Sequence, residues 1–254
     1  MKRPLILVSN DDGIHAKGVH ELISALKLIG DVVCVCPDSP QSGMSMALTV
    51  NNPLRITKLD SYKGVEMFKV SGTPVDCIKI AVDNLLSRRP DLVVSGINHG
   101  SNAAINVVYS GTMGAAFEGC AYGIPSIGFS LTSHDMDADF SPCLSVVSSI
   151  VKAVLKNGLP TDVCLNVNIP AHISDYKGIK VVRGCKGRWN DRYEEYIDPA
   201  GHPFYWLAGD FINTEPQQSD TDEWCLANGY VSVVPVQLER TYPHLDDFDW
   251  MPSE

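Results

Sequence analysis

Asp11 and Asp12 stand side by side before Gly13, where the apolar run L-I-L-V meets S-N-D-D-G. Two carboxylates about 4 Å apart repel by roughly 4 kcal/mol at an effective dielectric of 20. Either both face water, as in an ordinary solvated D-D-G turn, or something positive offsets them. Three further segments carry related chemistry: P-D-S-P-Q-S-G with Ser42, S-G-I-N-H-G with Asn98, and Y-S-G-T with Ser110, Gly111 and Thr112. Two carboxylates, a hydroxyl and an amide are hard oxygen donors, suited to magnesium, manganese or calcium rather than zinc. A helix opening on Ser110-Gly111-Thr112 offers free N–H groups and a positive dipole end to a phosphate. The same triplet also reads as a plain helix cap. A divalent cation beside a phosphate cradle is the equipment of phosphoryl chemistry.

For these residues to meet, the elements between them must bring four loops to one edge. Residues 4–8 form a short apolar run, and D-V-V-C-V-C-P a second, both suited to strands covered on two faces. Between them Val19, Leu22, Ile23, Leu26 and Ile29 recur at helical spacing, with Gly30 as a stop. Thr73, Pro74 and Asp76 predict a helix start with a capping box, continued by Val75, Ile78, Val82 and Leu85. D-L-V-V-S-G, P-S-I-G-F-S and V-C-L-N-V-N-I-P read as strands. A small-residue helix over 111–123 and another opening at Ser141-Pro142 and ending at Gly158 separate them. Strands alternating with helices predict an α/β fold, a doubly wound and mostly parallel sheet with helices on both faces. In such a sheet ligands bind beyond the carboxyl ends of the strands. The endings with Asp11, Ser42 and Asn98, and the helix start at Ser110, all fall on that edge.

The texture changes near residue 178. G-I-K-V-V-R-G, R-W-N-D-R-Y-E-E-Y and D-P-A-G-H-P-F-Y-W-L read as strands and hairpins, and G-Y-V-S-V-V-P-V as one more strand. The chain is expected to be a single domain over 1–254, a core over 1–177 with a β-rich extension over 178–254. The aromatic middle of that extension is either an arm that packs on another subunit or a hairpin on its own chain.

Other motifs fail or stay open. G-x-G-x-x-G and G-x-x-x-x-G-K-[ST] are absent. G-M-S-M-A around Ser45 resembles a nucleophile elbow, but it does not directly follow the apolar strand. His15 and His20 have the wrong spacing for a zincin pair and are expected on a helix surface. His99 is either a substrate contact or incidental to its loop. The 254 residues carry a net charge of −10, which opposes gripping long nucleic acid across the surface. None of the eight cysteines forms a C-x-x-C pair, and buried reduced thiols are expected. M-K-R-P is followed by only four apolar residues, too few for a secretion signal, and no run reaches membrane-spanning length. A soluble cytoplasmic protein is the expectation.

In their order and spacing, N-D-D-G, P-D-x-x-x-S-G, S-G-T-P-x-D-C, S-G-I-N-x-G-x-N and Y-S-G-T-x-x-A-A resemble the SurE family of metal-dependent nucleoside monophosphate phosphatases. The likeness continues through I-P-S-I, L-N-V-N-I-P, R-W-N-D and G-Y-V-S-V-V-P, nearly the whole chain. It implies a Rossmann-like fold with a C-terminal segment exchanged between subunits, in a homodimer or homotetramer. It implies 5'-nucleotidase activity, with 3'-nucleotides and short polyphosphate as further substrates. The family's ligands for one divalent ion, Mg2+ or Mn2+, fall on Asp11, Asp12, Ser42 and Asn98. Its phosphate pocket falls on Asn10, Gly43, Asn98, Ser110, Gly111 and Thr112. Asp11 and Asp12 are the expected catalytic pair, as metal holders, as base or, for one of them, as nucleophile. Lys17 and His99 depart from common family residues and bear on substrate preference. Two other readings stay open: a serine hydrolase using Ser45, and a nucleotide sensor without turnover.

Overall fold

The computed structural model describes residues 2–135, 137–171, 175–248 and 250. One nine-stranded sheet runs through the molecule, in the order β3-β4-β2-β1-β5-β6-β7-β11-β8. Its parallel centre comprises β1 (Leu5–Ser9), β2 (Asp31–Pro37), β4 (Val65–Val70), β5 (Leu92–His99), β6 (Ser126–Leu131) and β7 (Val163–Ile169). β3 (Ile56–Tyr62) closes one side as an antiparallel edge. On the other side β11 (Val231–Gln237) runs antiparallel to β7, and β8 (Ile179–Val181) lies parallel to β11. Among the helices, α1 (Lys17–Leu26) and α4 (Cys143–Asn157) share one core cluster with Ile6, Val8, Leu92 and Val94. α2 (Pro74–Ile80) packs with Leu7, Val35 and Val93 on the opposite face. Every residue of β1 is buried, as its unbroken apolar run requires.

Local chemistry sets several boundaries. Thr73 caps α2, its hydroxyl accepting from Asp76 N–H, while the Asp76 carboxylate accepts from Thr73 N–H at 2.9 Å. α2 then loosens into a wider turn over Ala81–Leu85 rather than running on as α-helix. α1 ends at Leu26, short of the expected Gly30, and the Arg3 guanidinium takes the carbonyls of Lys27 and Gly30 just beyond it at 2.9 Å each. The hairpin β3–β4 was not expected. It turns at Lys63 and Gly64, both with positive φ, the backbone that two-residue hairpin loops need.

Beyond residue 178 the chain divides. β8 and β11 complete the main sheet, while β9 (Gly187–Ile197) and β10 (Pro203–Asn213) form a separate antiparallel hairpin. α5 (Asp222–Ala227), also unexpected, opens on a Thr221 cap. All eight cysteines are buried and unpaired. No helix among the described residues is long and apolar enough to cross a membrane.

α1 lies directly on β5. A Cβ built on Gly18 would stand 2.0 Å from the Ile97 carbonyl oxygen, so the contact exists only with glycine. Gly18→Ala is expected to lose about 3 kcal/mol of stability by forcing this helix off the sheet. Thermal unfolding measures it; an unchanged midpoint would reject the close contact.

Candidate active site

The strand endings converge as the parallel topology demands. Beyond β1, Asn10 donates its amide N–H to the Gly13 carbonyl at 2.9 Å, and Gly13 takes φ +94°, which shapes the D-D-G turn. Gln41 N–H donates to the Asp11 carbonyl at 2.7 Å, tying the loop after β2, with Ser42 and Gly43, to that turn. Asn98 lies near the end of β5 and donates its amide to the Gly100 carbonyl at 2.9 Å, which leaves its side-chain oxygen for a ligand. α3 (Gly111–Ala121) begins beside them, its Ser110 cap accepting from Met113 N–H at 3.0 Å.

A cavity of about 380 Å3 opens at this edge, and Asp11, Ser42, Gly43, Asn98 and Ser110 line it. Asp12 stands at its margin, where one carboxylate oxygen, Oδ2, accepts from His99 N–H at 3.2 Å and lies 3.6 Å from His99 Nδ1. His99 lines the cavity as well; its ring meets Phe140 edge-on, and its Nε2 is buried without a partner among the described residues. Asn10 and Thr112 do not line the cavity. Asn10 is buried in the turn, and the Thr112 hydroxyl donates to Asp11 Oδ1, with Thr112 N–H supporting the same carboxylate. Gly111 lies against Asp11: a Cβ there would come within 2.7 Å of Asp11 Cβ. The opening of α3 thus grips Asp11, and Ser110 is its residue on the cavity wall.

The electrostatics are unbalanced. Asp11 is only 4 % exposed, and burial, helped by the Asp12 charge and opposed by the Thr112 hydrogen bond, raises its pKa to about 6. Among the described residues, no Lys or Arg lines the cavity. The described residues hold no cluster of three His, Cys, Asp or Glu fit for a metal. The donor set here is of another kind: two carboxylates, the Ser42 hydroxyl and the Asn98 amide oxygen. Such hard oxygens fit a magnesium or manganese ion, and a cation would supply the charge that Asp11 lacks.

Sequence reasoning did not find the rest of the wall. Asn106 and Tyr109 come from the segment before α3, Trp189 and Phe211 from the hairpin, and Glu223 from α5. Trp189 is fixed by its indole N–H, which donates to Asn106 Oδ1 at 2.7 Å. A second cavity of about 580 Å3 shares Gly43, Asn106, Tyr109 and Trp189 and continues along Leu207–Gly209. The residues of R-W-N-D and Y-S-G-T were visible, but only the fold puts the two motifs on one wall. Ser45 is elsewhere engaged: its hydroxyl donates to the Val108 carbonyl at 2.6 Å, and no histidine among the described residues bonds it. Lys17 ties down the loop before α4 through the Ala138 carbonyl.

The family model described as survival protein SurE matches residues 6–191, well over half of the chain. The chain belongs to the SurE family. It is 52% identical to the protein named 5'-nucleotidase SurE of Christiangramia forsetii, over 96% of this chain and 94% of that one. The protein of the same name from Flavobacterium johnsoniae is 51% identical, with the same coverage of both chains. The crystal structure of the SurE protein from Aquifex aeolicus superposes with a TM-score of 0.83 at 41% identity, over 97% of this chain and 98% of that one. Residues of N-D-D-G, P-D-S-P-Q-S-G, S-G-I-N-H-G and Y-S-G-T line the cavity, and all four segments lie within the matched span.

Proposed function

We propose that this chain is a 5'-nucleotidase, a metal-dependent phosphohydrolase acting on nucleoside 5'-monophosphates. The observation that carries the reading is the buried Asp11 beside Asp12 in a cavity with no Lys or Arg, where an anionic substrate could not enter unaided. Asp11, Asp12, Ser42 and Asn98 would hold one divalent ion, Mg2+ or Mn2+. Such an ion supplies Lewis acidity toward phosphoryl oxygens and lowers the pKa of water.

The chain's own groups do the rest. Thr112 occupies Asp11 Oδ1 and His99 occupies Asp12 Oδ2, so Asp11 Oδ2 and Asp12 Oδ1 remain for the cation and for a proton from the attacking water. Ser110, the backbone at Gly43 and the Asn98 amide would meet the phosphate from the cavity wall, with Gly111 behind them at the start of α3. Asn10 and Thr112 support the site from behind, by shaping the turn and by orienting Asp11. The nucleoside extends toward Tyr109 and Trp189, whose rings offer a stacking surface beside the second cavity. 3'-Nucleotides and short polyphosphate enter the same phosphate site as further substrates.

Phosphate release from a nucleotide panel, with manganese and with EDTA, tests the reading. Turnover that needs the metal is expected. Turnover that survives EDTA points to a serine hydrolase, and binding without release points to a sensor.

The protein would work in the cytoplasm, where eight unpaired buried thiols are stable, and as a homodimer or homotetramer. The β9–β10 hairpin exposes Tyr193, Ile197, Tyr205 and Leu207 on one face, and a two-stranded hairpin is marginal without a partner. A second copy of this chain is its natural cover. Tyr193→Asp with Tyr205→Asp is expected to yield a monomer by light scattering, and an unchanged mass would exclude this face from the interface.

A further inference from the structure

Glu223 is a carboxylate in the cavity that the phosphate chemistry leaves unused. It is the second residue of α5, and the start of that helix is clamped. The buried Asp222 carboxylate accepts from Ala104 N–H at 2.7 Å and from the N–H groups of Cys185 and Glu223 at 2.8 Å each. This joins α5 to the segment that carries Asn106 and Tyr109, so the backbone that presents Glu223 is fixed against the wall it shares. The Glu223 side chain is half-buried, and it makes no hydrogen bond or ion pair with any described residue. Burial, with the neighbouring Asp222 charge, holds its pKa above the ordinary glutamate range.

Water serves the exposed side of this carboxylate, and a ligand that fills the cavity and displaces that water must bring donors of its own or leave the charge unsolvated. The substrate's phosphate offers acceptors and negative charge, so it cannot be the partner. The nucleoside offers donors, and the neighbouring hydroxyls of a ribose present two O–H groups to two carboxylate oxygens. Resting on the nucleotidase reading, we propose that Glu223 is a specificity-determining residue that accepts hydrogen bonds from the ribose 2'- and 3'-hydroxyls. The enzyme then distinguishes ribonucleotides from 2'-deoxynucleotides and from simple phosphate esters. Base amino groups are the competing donors, and they vary from base to base whereas the ribose diol does not.

The test compares kcat/KM for AMP, dAMP, IMP and p-nitrophenyl phosphate in the wild type, Glu223→Ala and Glu223→Gln, with manganese present. The wild type is expected to prefer AMP over dAMP by about tenfold. In Glu223→Ala, kcat/KM for AMP falls by about tenfold or more relative to p-nitrophenyl phosphate, chiefly through KM, and AMP and dAMP converge. Glu223→Gln, which keeps one accepting oxygen, falls between the two. An equal loss on AMP and p-nitrophenyl phosphate overturns the proposal in favour of a structural role. An unaltered preference for ribose, or a loss on AMP that spares IMP, also overturns it. A wild type that hydrolyses none of the four overturns the nucleotidase reading and this proposal with it.

Discussion

Replacing Asp11 with Asn is expected to abolish phosphate release while making the metal-free protein more stable. The loss of turnover, at least about a thousandfold, follows from removing one of the two carboxylates proposed to hold the cation beside the reacting phosphate. The gain in stability follows from burial. Folding moves the Asp11 pKa from the usual 3.8 to about 6, so the folded state holds the charged form poorly. A group whose pKa rises on folding contributes its full stability below its unfolded value and loses it as pH climbs through the folded one. The metal-free wild type should therefore fall behind Asp11→Asn between about pH 4 and pH 6, and by roughly 3 kcal/mol at neutral pH. For a chain of this size that is several degrees of unfolding temperature. Asn keeps the shape of the side chain and an oxygen for the Thr112 hydroxyl, so the contrast isolates the charge. Thermal unfolding in EDTA at pH 4 and pH 7.5 measures the effect. A variant no more stable than the wild type at pH 7.5 would show that Asp11 bears no electrostatic strain, and full activity would remove it from the site.

Gly111→Ala should lower kcat/KM by about a hundredfold without unfolding the protein. The added Cβ would stand 2.7 Å from Asp11 Cβ and 3.0 Å from its Oδ2, so the carboxylate must move. Alanine suits the first turn of a helix, so α3 itself tolerates the change. The predicted damage is confined to the placement of Asp11. Circular dichroism and a melting curve near those of the wild type, with activity lost, are the expected combination. Wild-type activity would mean that the position of Asp11 is not critical.

Much of the sheet was legible because its central strands are buried on both faces and so read as unbroken apolar runs. The start of α2 was legible for another reason: Thr73, Pro74 and Asp76 state a capping box in four residues. β3 was missed because I-T-K-L-D-S-Y is an edge strand facing solvent along most of its length, without a strong alternation. α5 was missed because six residues hold too little helical period, although Thr221 is an ordinary cap. For the site, the donors at Asp11, Asp12, Ser42 and Asn98 could be placed on one edge from topology alone. The contribution of Trp189, Phe211 and Glu223 could not, because it depends on how the chain after residue 178 folds back against the segment that follows β5. Nor does spacing tell that Thr112 faces Asp11 rather than the cavity; that depends on which side of α3 meets the D-D-G turn.

The two ends of the cavity wall have different origins. Asp11 and Asp12 follow β1 and Asn98 lies at the end of β5, a strand held beneath α1 by a contact that admits no side chain at Gly18. Trp189, Phe211 and Glu223 come from a hairpin and a six-residue helix attached late in the chain. On the proposed reading, a substitution at Phe211 or Glu223 alters the nucleoside end without touching the contact that holds the phosphate end. The preferred nucleoside can then change with no change in the bond that is broken.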